Sequence, residues 1–251
     1  MRLYFNGCSF TQGDELSDPM SSYPTVMSRK LGLEFTNDAQ NGGSNQRIVY
    51  KTMQAIDDHD CFIIAWTSYN RFTEYNPVDN FEINFFPQMS LDATSHYSDD
   101  LKVNYAKYLD YGNMYYKYWQ NELYEFKQWL QQILLLQSFL KCQNKKYIML
   151  NTMDNRLEQW CSAKEEFLSS VRPLLPFFDY LSDELLLEEH RQIQNLLSMI
   201  DHSTYLGFGK WCIVDYTRQF PCGPNGHPLE DGHIAVADTL IKFYNKTVCS
   251  N

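Results

Sequence analysis

A sheet of parallel strands covered by helices on both faces, a three-layer α/β/α sandwich, is the fold class the sequence predicts. Three observations carry it. Cys61-Phe-Ile-Ile-Ala-Trp66 is apolar at every position, as in a central strand buried on both sides. Tyr147-Ile-Met-Leu150 repeats that pattern. Between the two, Trp119, Leu123, Phe126, Leu130, Ile133, Leu134 and Leu140 recur at helical spacing. A long helix delivering the chain to the next strand is the crossover that a parallel sheet requires.

The remaining elements follow in order. Leu3-Tyr4-Phe5 suits a first buried strand, and Gly7 is where the chain can turn. Thr25 to Leu31 reads as a short helix stopped by Gly32, and Leu33 to Thr36 as a second strand. Ser44 or Asn45 can cap a helix running to about Ile56, with Ile48, Met53 and Ile56 as core candidates. Residues 73–114 are rich in Asn, Asp, Tyr and Phe without sustained periodicity, an irregular insertion that suits a lid or a protein contact surface. Tyr115 to Lys141 is the long helix. Residues 152–203 read as a helical insertion, with a capping-box pattern at Ser162–Glu165 and an amphipathic stripe of Leu185, Leu186, Ile193, Leu196, Leu197 and Ile200. Lys210 to Asp215 is a short strand or an extended approach, and a last helix from about Leu229 to Tyr244 buries Ile234, Ala237, Leu240 and Ile241. With no internal repeat, low-complexity tract or linker, residues 1–251 read as one domain.

Composition narrows the function classes. The chain has 251 residues, 44% hydrophobic and 21% charged, enough for a proper core. Its net charge of −10, without a block of consecutive Lys or Arg, argues against nucleic acid and anionic membranes as partners. The longest aliphatic run, Ile133 to Leu136, is too short to span a bilayer. Seven cysteines, at positions 8, 61, 142, 161, 212, 222 and 249, form no Cys-x-x-Cys pair, so neither a zinc site nor a disulfide framework is indicated. Free thiols in a reducing cytoplasm, with no export leader ahead of the first strand, are the expectation.

Two stretches at opposite ends carry chemistry. In Gly7-Cys8-Ser9-Phe10-Thr11-Gln12-Gly13 a Ser just past a strand end, between glycines, has a free backbone N–H. That is a place for a nucleophile and for one donor to an oxyanion. In Gly226-His227-Pro228-Leu-Glu-Asp-Gly232-His233 a His stands on a loop just ahead of a helix that Pro228 can start.

Together these stretches resemble the SGNH (GDSL-like) hydrolase superfamily. The first is similar to its Gly-Asp-Ser-x-Thr-x-Gly block with Cys8 in place of Asp; the second is similar to its last block, in which the His before Pro is the catalytic base. In particular, the chain resembles the small SGNH-like proteins of tailed phages, whose first block often reads Gly-Cys-Ser-Phe-Thr. The resemblance implies a flavodoxin-like sheet and a serine esterase needing no metal or organic cofactor, with Ser9 as nucleophile and His227 as base. A small-molecule or carbohydrate ester is then the implied substrate, and carbohydrate O-deacetylation one subtype.

The same resemblance gives the oxyanion donors. Asn37, Ala39 and Gly42 fit the family's Asn-x-Gly-x-x-Gly spacing, with Ala39 replacing the first Gly, so the N–H groups of Ser9 and Gly42 are expected to hold the oxyanion. In the third block, Gly-x-Asn-Asp, Trp66 takes the Gly position and Ser68 the Asn position, which leaves Ser68 or Asn70 as side-chain donors. The family's triad acid stands three residues before the His, and here that position is Pro224. A Ser9–His227 dyad oriented by a backbone carbonyl is the expectation, with Asp215 the best substitute carboxylate and turnover correspondingly weak. His233 with Glu230 is a competing base register, disfavoured because it breaks the His-Pro-x-x-x-Gly-His match. Two other function classes stay open. One is an inactive SGNH-like fold serving as a binding or structural module, for instance in a phage particle, with residues 73–114 meeting a protein partner. The other is an anion-binding loop at Gly7–Gly13, which lacks Walker spacing and a P-loop Lys and leaves His227 without a task.

Overall fold

The first strand, β1 (Arg2–Asn6), sits near the middle of a five-stranded sheet, because its side chains are buried on both faces from Leu3 onward. The computed structural model describes residues 1–76, 81–87, 108–175 and 181–249. On one side β1 pairs with β2 (Glu34–Asn37), on the other with β3 (Cys61–Trp66), both parallel. Further out lie β6 (Lys146–Asn151), in register with β3 over six residue pairs, and a two-residue β7 (Tyr205–Leu206). The order β2-β1-β3-β6-β7 is the doubly wound, flavodoxin-like order. A separate antiparallel hairpin, β4 (Phe72–Asn76) and β5 (Phe81–Phe85), follows β3.

Alternation along the strands divides the core into two halves. Leu3, Phe5, Cys61, Ile63, Ala65, Ile148 and Leu150 face α2 (Tyr23–Leu31), α8 (Ile213–Thr217) and α9 (Glu230–Thr247). Tyr4, Phe62, Ile64, Trp66, Tyr147 and Met149 face α3 (Asn45–Gln54), α4 (Glu122–Cys142), α5 (Leu157–Trp160), α6 (Lys164–Val171) and α7 (Asp183–Ser198). Helices on both faces of one parallel sheet make the three-layer α/β/α sandwich. Among the described residues no helix is long and apolar enough to cross a membrane, and all seven cysteines are free thiols.

Local departures from the sequence reading have identifiable causes. The stretch expected to be irregular, 73–114, holds most of the β4–β5 hairpin and a helical segment at 108–114, while residues 77–80 and 88–107 of it lie outside the described residues; a π-helical turn, Tyr115–Trp119, stands where the long helix was expected to begin. The long helix starts at Glu122, because the Asn121 side chain accepts from the Tyr124 N–H and caps it there. Trp119 therefore falls outside the helix stripe and is 72% exposed. Ser162 does not cap: its hydroxyl donates back to the Gln159 carbonyl, and α6 begins without a side-chain cap. Cys212 makes a single parallel bridge to Asn151 before the chain coils into α8, so Lys210–Asp215 is not a strand. Leu185 and Ile234, expected inside, sit on exposed helix faces.

One buried acid sets a stability prediction. Glu125 on α4 is 6% exposed and accepts from the Tyr115 hydroxyl at 2.7 Å and the Gln120 amide at 3.2 Å. Burial pushes its pKa up from 4.5 to about 7, although those hydrogen bonds oppose the rise. A carboxyl whose folded pKa is raised binds its proton more tightly in the folded chain. Stability therefore falls as pH rises from about 4.5 to about 7. Glu125→Gln should remove that slope. Thermal unfolding at pH 8 should show stabilisation of up to about 3 kcal/mol, with little change at pH 4.5.

Candidate active site

The sheet order reverses between β1 and β3, and the loops leaving their C-terminal ends form the crevice in which such folds hold ligands. After β1 the chain turns through Gly7 and Cys8, and Ser9 opens α1 (Ser9–Gln12), with Cys8 in extended conformation as N-cap. As first residue of that helix, Ser9 has an N–H that no intrahelical carbonyl takes. Four residues after Ser9 the helix ends at Gly13, and Glu15 follows in the left-handed region, φ 66°. For a side chain of this length that conformation is uncommon, and such strain gathers where a side chain must be aimed.

Glu15 is aimed into the loop that carries His227. That loop closes on itself: Cys222 bridges Pro228, and the Gly223 N–H donates to the His227 carbonyl at 2.9 Å. Its concave side wraps the Glu15 carboxylate. One oxygen accepts from the Asn225 N–H at 2.9 Å and its side-chain amide at 3.1 Å. The other accepts from the His227 N–H at 3.1 Å and from His227 Nδ1 at 2.8 Å. Gly223 makes room, since a Cβ there would lie 2.7 Å from the Glu15 carboxyl carbon. Burial would raise the Glu15 pKa, but the Asn225 N–H and the His227 ring and N–H outweigh it and hold the carboxyl below its ordinary value.

This fixes the histidine's tautomer. An ionised carboxylate only accepts, so the His227 Nδ1 carries the proton and Nε2 presents its lone pair. Nε2 lies 2.8 Å from Ser9 Oγ. Ser9, His227 and Glu15 thus form a continuous hydroxyl–imidazole–carboxylate relay. It is largely dry: Ser9 is 4% exposed, and the side chains of His227 and Glu15 are 12% and 10% exposed. The Phe10 ring packs against the imidazole with centroids 4.7 Å apart.

The structure brings Ser9 and His227 together and corrects the third position. Neither a backbone carbonyl nor Asp215 orients the imidazole. Asp215 lies in the first turn of α8, paired with Arg218 at 3.0 Å and with the Cys212 thiol at 3.2 Å. Glu15 holds the imidazole in its place, and the sequence signal for it is the acidic pair Asp14-Glu15 that follows the serine block, combined with Pro224 where the histidine loop would supply its own acid. The competing register is not assembled. His233 is 1% exposed, stacks on Tyr23 and accepts from the Tyr23 N–H at 3.1 Å; burial, then the neighbouring His227, lowers its pKa to about 4. Glu230 bonds to Ser17 instead.

The expected oxyanion donors are only partly gathered. The loop bearing Gly42 is stitched beside α1: the Gln40 N–H reaches the Gly7 carbonyl at 3.4 Å, the Asn37 amide reaches the Thr11 carbonyl at 2.9 Å, and the Asn41 amide reaches Asp14 at 2.9 Å. Gly42 itself has φ 71°. By contrast, the Ser68 hydroxyl donates to the Asn70 side-chain oxygen at 2.6 Å, and among the described residues no hydrogen bond joins either one to Ser9 or His227. What holds this loop is Asn45, unremarked in the sequence beyond its capping position. Its side chain accepts from the Thr67 N–H and donates to the carbonyls of Thr67 and Ser68. Among the described residues no group of His, Cys, Asp and Glu side chains is placed to hold a metal ion.

Solved structures similar to this chain include the psychrotrophic esterase EstA from Pseudoalteromonas sp., at 7% identity and TM-score 0.49, covering 100% of this chain and 99% of that one. A carbohydrate esterase family 2 enzyme with a carbohydrate-binding domain from Corynascus thermopiles matches at 12% identity and TM-score 0.49, over 99% of this chain and 66% of that one. A member of the lipolytic G-D-S-L family from Veillonella parvula matches at 12% identity and TM-score 0.45, over 98% and 99%. Likeness this distant bears on neither reaction nor substrate. No curated protein matches the sequence. A family model matches residues 14–170, a span that includes Glu15 but neither Ser9 nor His227. With more than half of its length matched, the chain belongs to DUF6071, a family of unknown function.

Proposed function

We propose that this protein is a serine hydrolase of the SGNH type acting on ester bonds, with Ser9 as nucleophile, His227 as general base and acid, and Glu15 as the residue that orients and stabilises the imidazole. The observation that carries the reading is the relay of two 2.8 Å hydrogen bonds from Ser9 Oγ through His227 to Glu15. Ser9 Oγ attacks the acyl carbonyl as His227 Nε2 takes its proton. The imidazolium so formed faces an ionised carboxylate. Oxyanion charge is met by the N–H groups of Ser9 and Gly42. His227 then returns the proton to the leaving alcohol, and water repeats the sequence to free Ser9. Since the partner of His227 is charged, the weak turnover expected of a carbonyl-oriented dyad no longer follows. A carbohydrate O-acyl ester is the subtype the reading favours. Free thiols throughout suit a reducing compartment.

The experiment is labelling by a fluorophosphonate together with hydrolysis of short-chain aryl esters. The reading expects stoichiometric labelling and measurable turnover. A folded protein that neither labels nor hydrolyses any short ester overturns it in favour of a binding module built on the same fold.

A further inference from the structure

A cavity of about 830 Å³ opens beside the Gly42 loop, between α3 and the β4–β5 hairpin. Both walls follow from sequence pattern. On α3, Ile48, Val49 and Thr52 are buried. Gln46, Tyr50 and Gln54, four residues apart, share the opposite face with Arg47 and Lys51. On the hairpin, Thr73 pairs with Asn84 and Tyr75 with Glu82, so these four share one face, while Phe72, Ile83 and Phe85 turn to a separate small core. Arg47 clamps the two walls by donating to Glu82 at 2.9 Å.

The charges of the cleft are consumed within it. Arg47 pairs with Glu82 and Asp38, and Lys51 reaches the second Glu82 oxygen at 3.1 Å, so two cations meet two carboxylates. Besides these paired charges the cleft is lined by the side-chain amides of Gln40, Gln46 and Gln54 and by Tyr50 and Tyr75, with Lys51 Nζ 5.8 Å from the centroid of the Tyr50 ring. Tyr50 and Tyr75 are 56% and 57% exposed, and the Tyr50 ring is steadied by the Gln54 amide on its hydroxyl at 2.7 Å. Amides both donate and accept, as hydroxyl-rich ligands require, and aromatic faces pack against the apolar faces of sugar rings. The run from Gln46 to Gln54 is about 12 Å along the helix axis, enough for a short oligosaccharide. Gln40 and Thr73 tie one end of the cleft to the active-site crevice. Gln40 is bonded to the Gly7 carbonyl, and Thr73 is bonded to Ser44 and to Asn84, which packs against Gly42.

We infer that this cleft binds a neutral glycan chain, one end of which abuts the Gly42 loop. Its role in presenting an ester to Ser9 rests on the hydrolase reading; the binding does not. The test is affinity electrophoresis of the full chain in gels containing xylan, galactomannan, mixed-linkage β-glucan or hydroxyethylcellulose, with alginate and DNA as anionic controls, and aryl-ester hydrolysis measured in parallel. At least one neutral polysaccharide should retard the protein. Tyr50→Ala and Tyr75→Ala should each weaken that retardation about three- to tenfold while leaving aryl-ester hydrolysis and thermal unfolding unchanged. Retardation by none of the neutral polymers, by the anionic controls alone, or without response to either tyrosine variant overturns the inference. Retardation of a protein that hydrolyses nothing upholds the cleft and removes the hydrolase; hydrolysis without retardation does the reverse.

Discussion

Glu15→Gln should lower kcat for an aryl ester about 10⁴-fold with little change in KM. The amide is nearly the same size and can still occupy the pocket made by the Cys222–Pro228 loop. What it loses is charge and pure acceptor character. Beside Gln, His227 can settle with Nδ1 accepting from the amide, and the proton then sits on Nε2, facing Ser9, where no base is left. Even in the correct tautomer the imidazolium would lack its counter-charge. Asp215→Asn, on the carboxylate that pairs with Arg218, should change the rate only a few-fold. A second route to the same carboxylate is Gly223→Ala, whose Cβ would press on the Glu15 carboxyl and should slow turnover about 10²-fold without unfolding the chain. Reversed rankings, with Asp215→Asn the severe variant, would show that Glu15 is a structural anchor for the loop and nothing more. The ionised state of Glu15 also gives a direction in pH. Its folded pKa lies below the ordinary value, so its contribution to stability is complete above the unfolded pKa and is lost as pH falls through the folded one.

The sheet was legible because each central strand advertises itself. Cys61–Trp66 and Tyr147–Leu150 are apolar on both faces, and a strand buried on both faces can only lie inside a layered α/β fold. Ser9 and His227 were legible for another reason: each sits where backbone geometry limits the choices, one after a strand end and one before a helix start. Glu15 was not, although it stands six residues from Ser9. Its hydrogen bond to His227 spans 212 residues, and no periodicity reports a contact made by a loop. Nor does a Glu announce a left-handed backbone as a Gly would. What the sequence did show was the vacancy at Pro224, and it pointed to the wrong substitute because Asp215 lay upstream of the loop, where the pattern placed the acid. The hairpin was missed for a related reason. Phe72, Ile83 and Phe85 alternate with polar residues, but each run is only five residues long and their apolar face packs on a small satellite core rather than the main one.

Ser9→Ala and His227→Ala should each lower kcat by about 10⁶-fold, and the double variant should be no worse than either. Residues that act as one unit give such non-additive losses. Without the Oγ, His227 has no proton to take; without the imidazole, a buried hydroxyl at its ordinary pKa is too weak a nucleophile to matter. Binding and the backbone oxyanion donors would remain, so KM should hold within a few-fold and a residual rate above solvent hydrolysis should persist in all three variants. Labelling separates the two roles that the kinetics cannot. Ser9→Ala should abolish fluorophosphonate labelling outright, since the bond forms at that oxygen. His227→Ala should only slow it, because the nucleophile is present but unassisted. Stability should change little, since each substitution breaks a hydrogen bond between Ser9 and His227 worth about 1 kcal/mol, and His227→Ala also loses its contact to Glu15. Persistent labelling of Ser9→Ala would place the nucleophile elsewhere, and losses that multiply in the double variant would mean that Ser9 and His227 touch without working together.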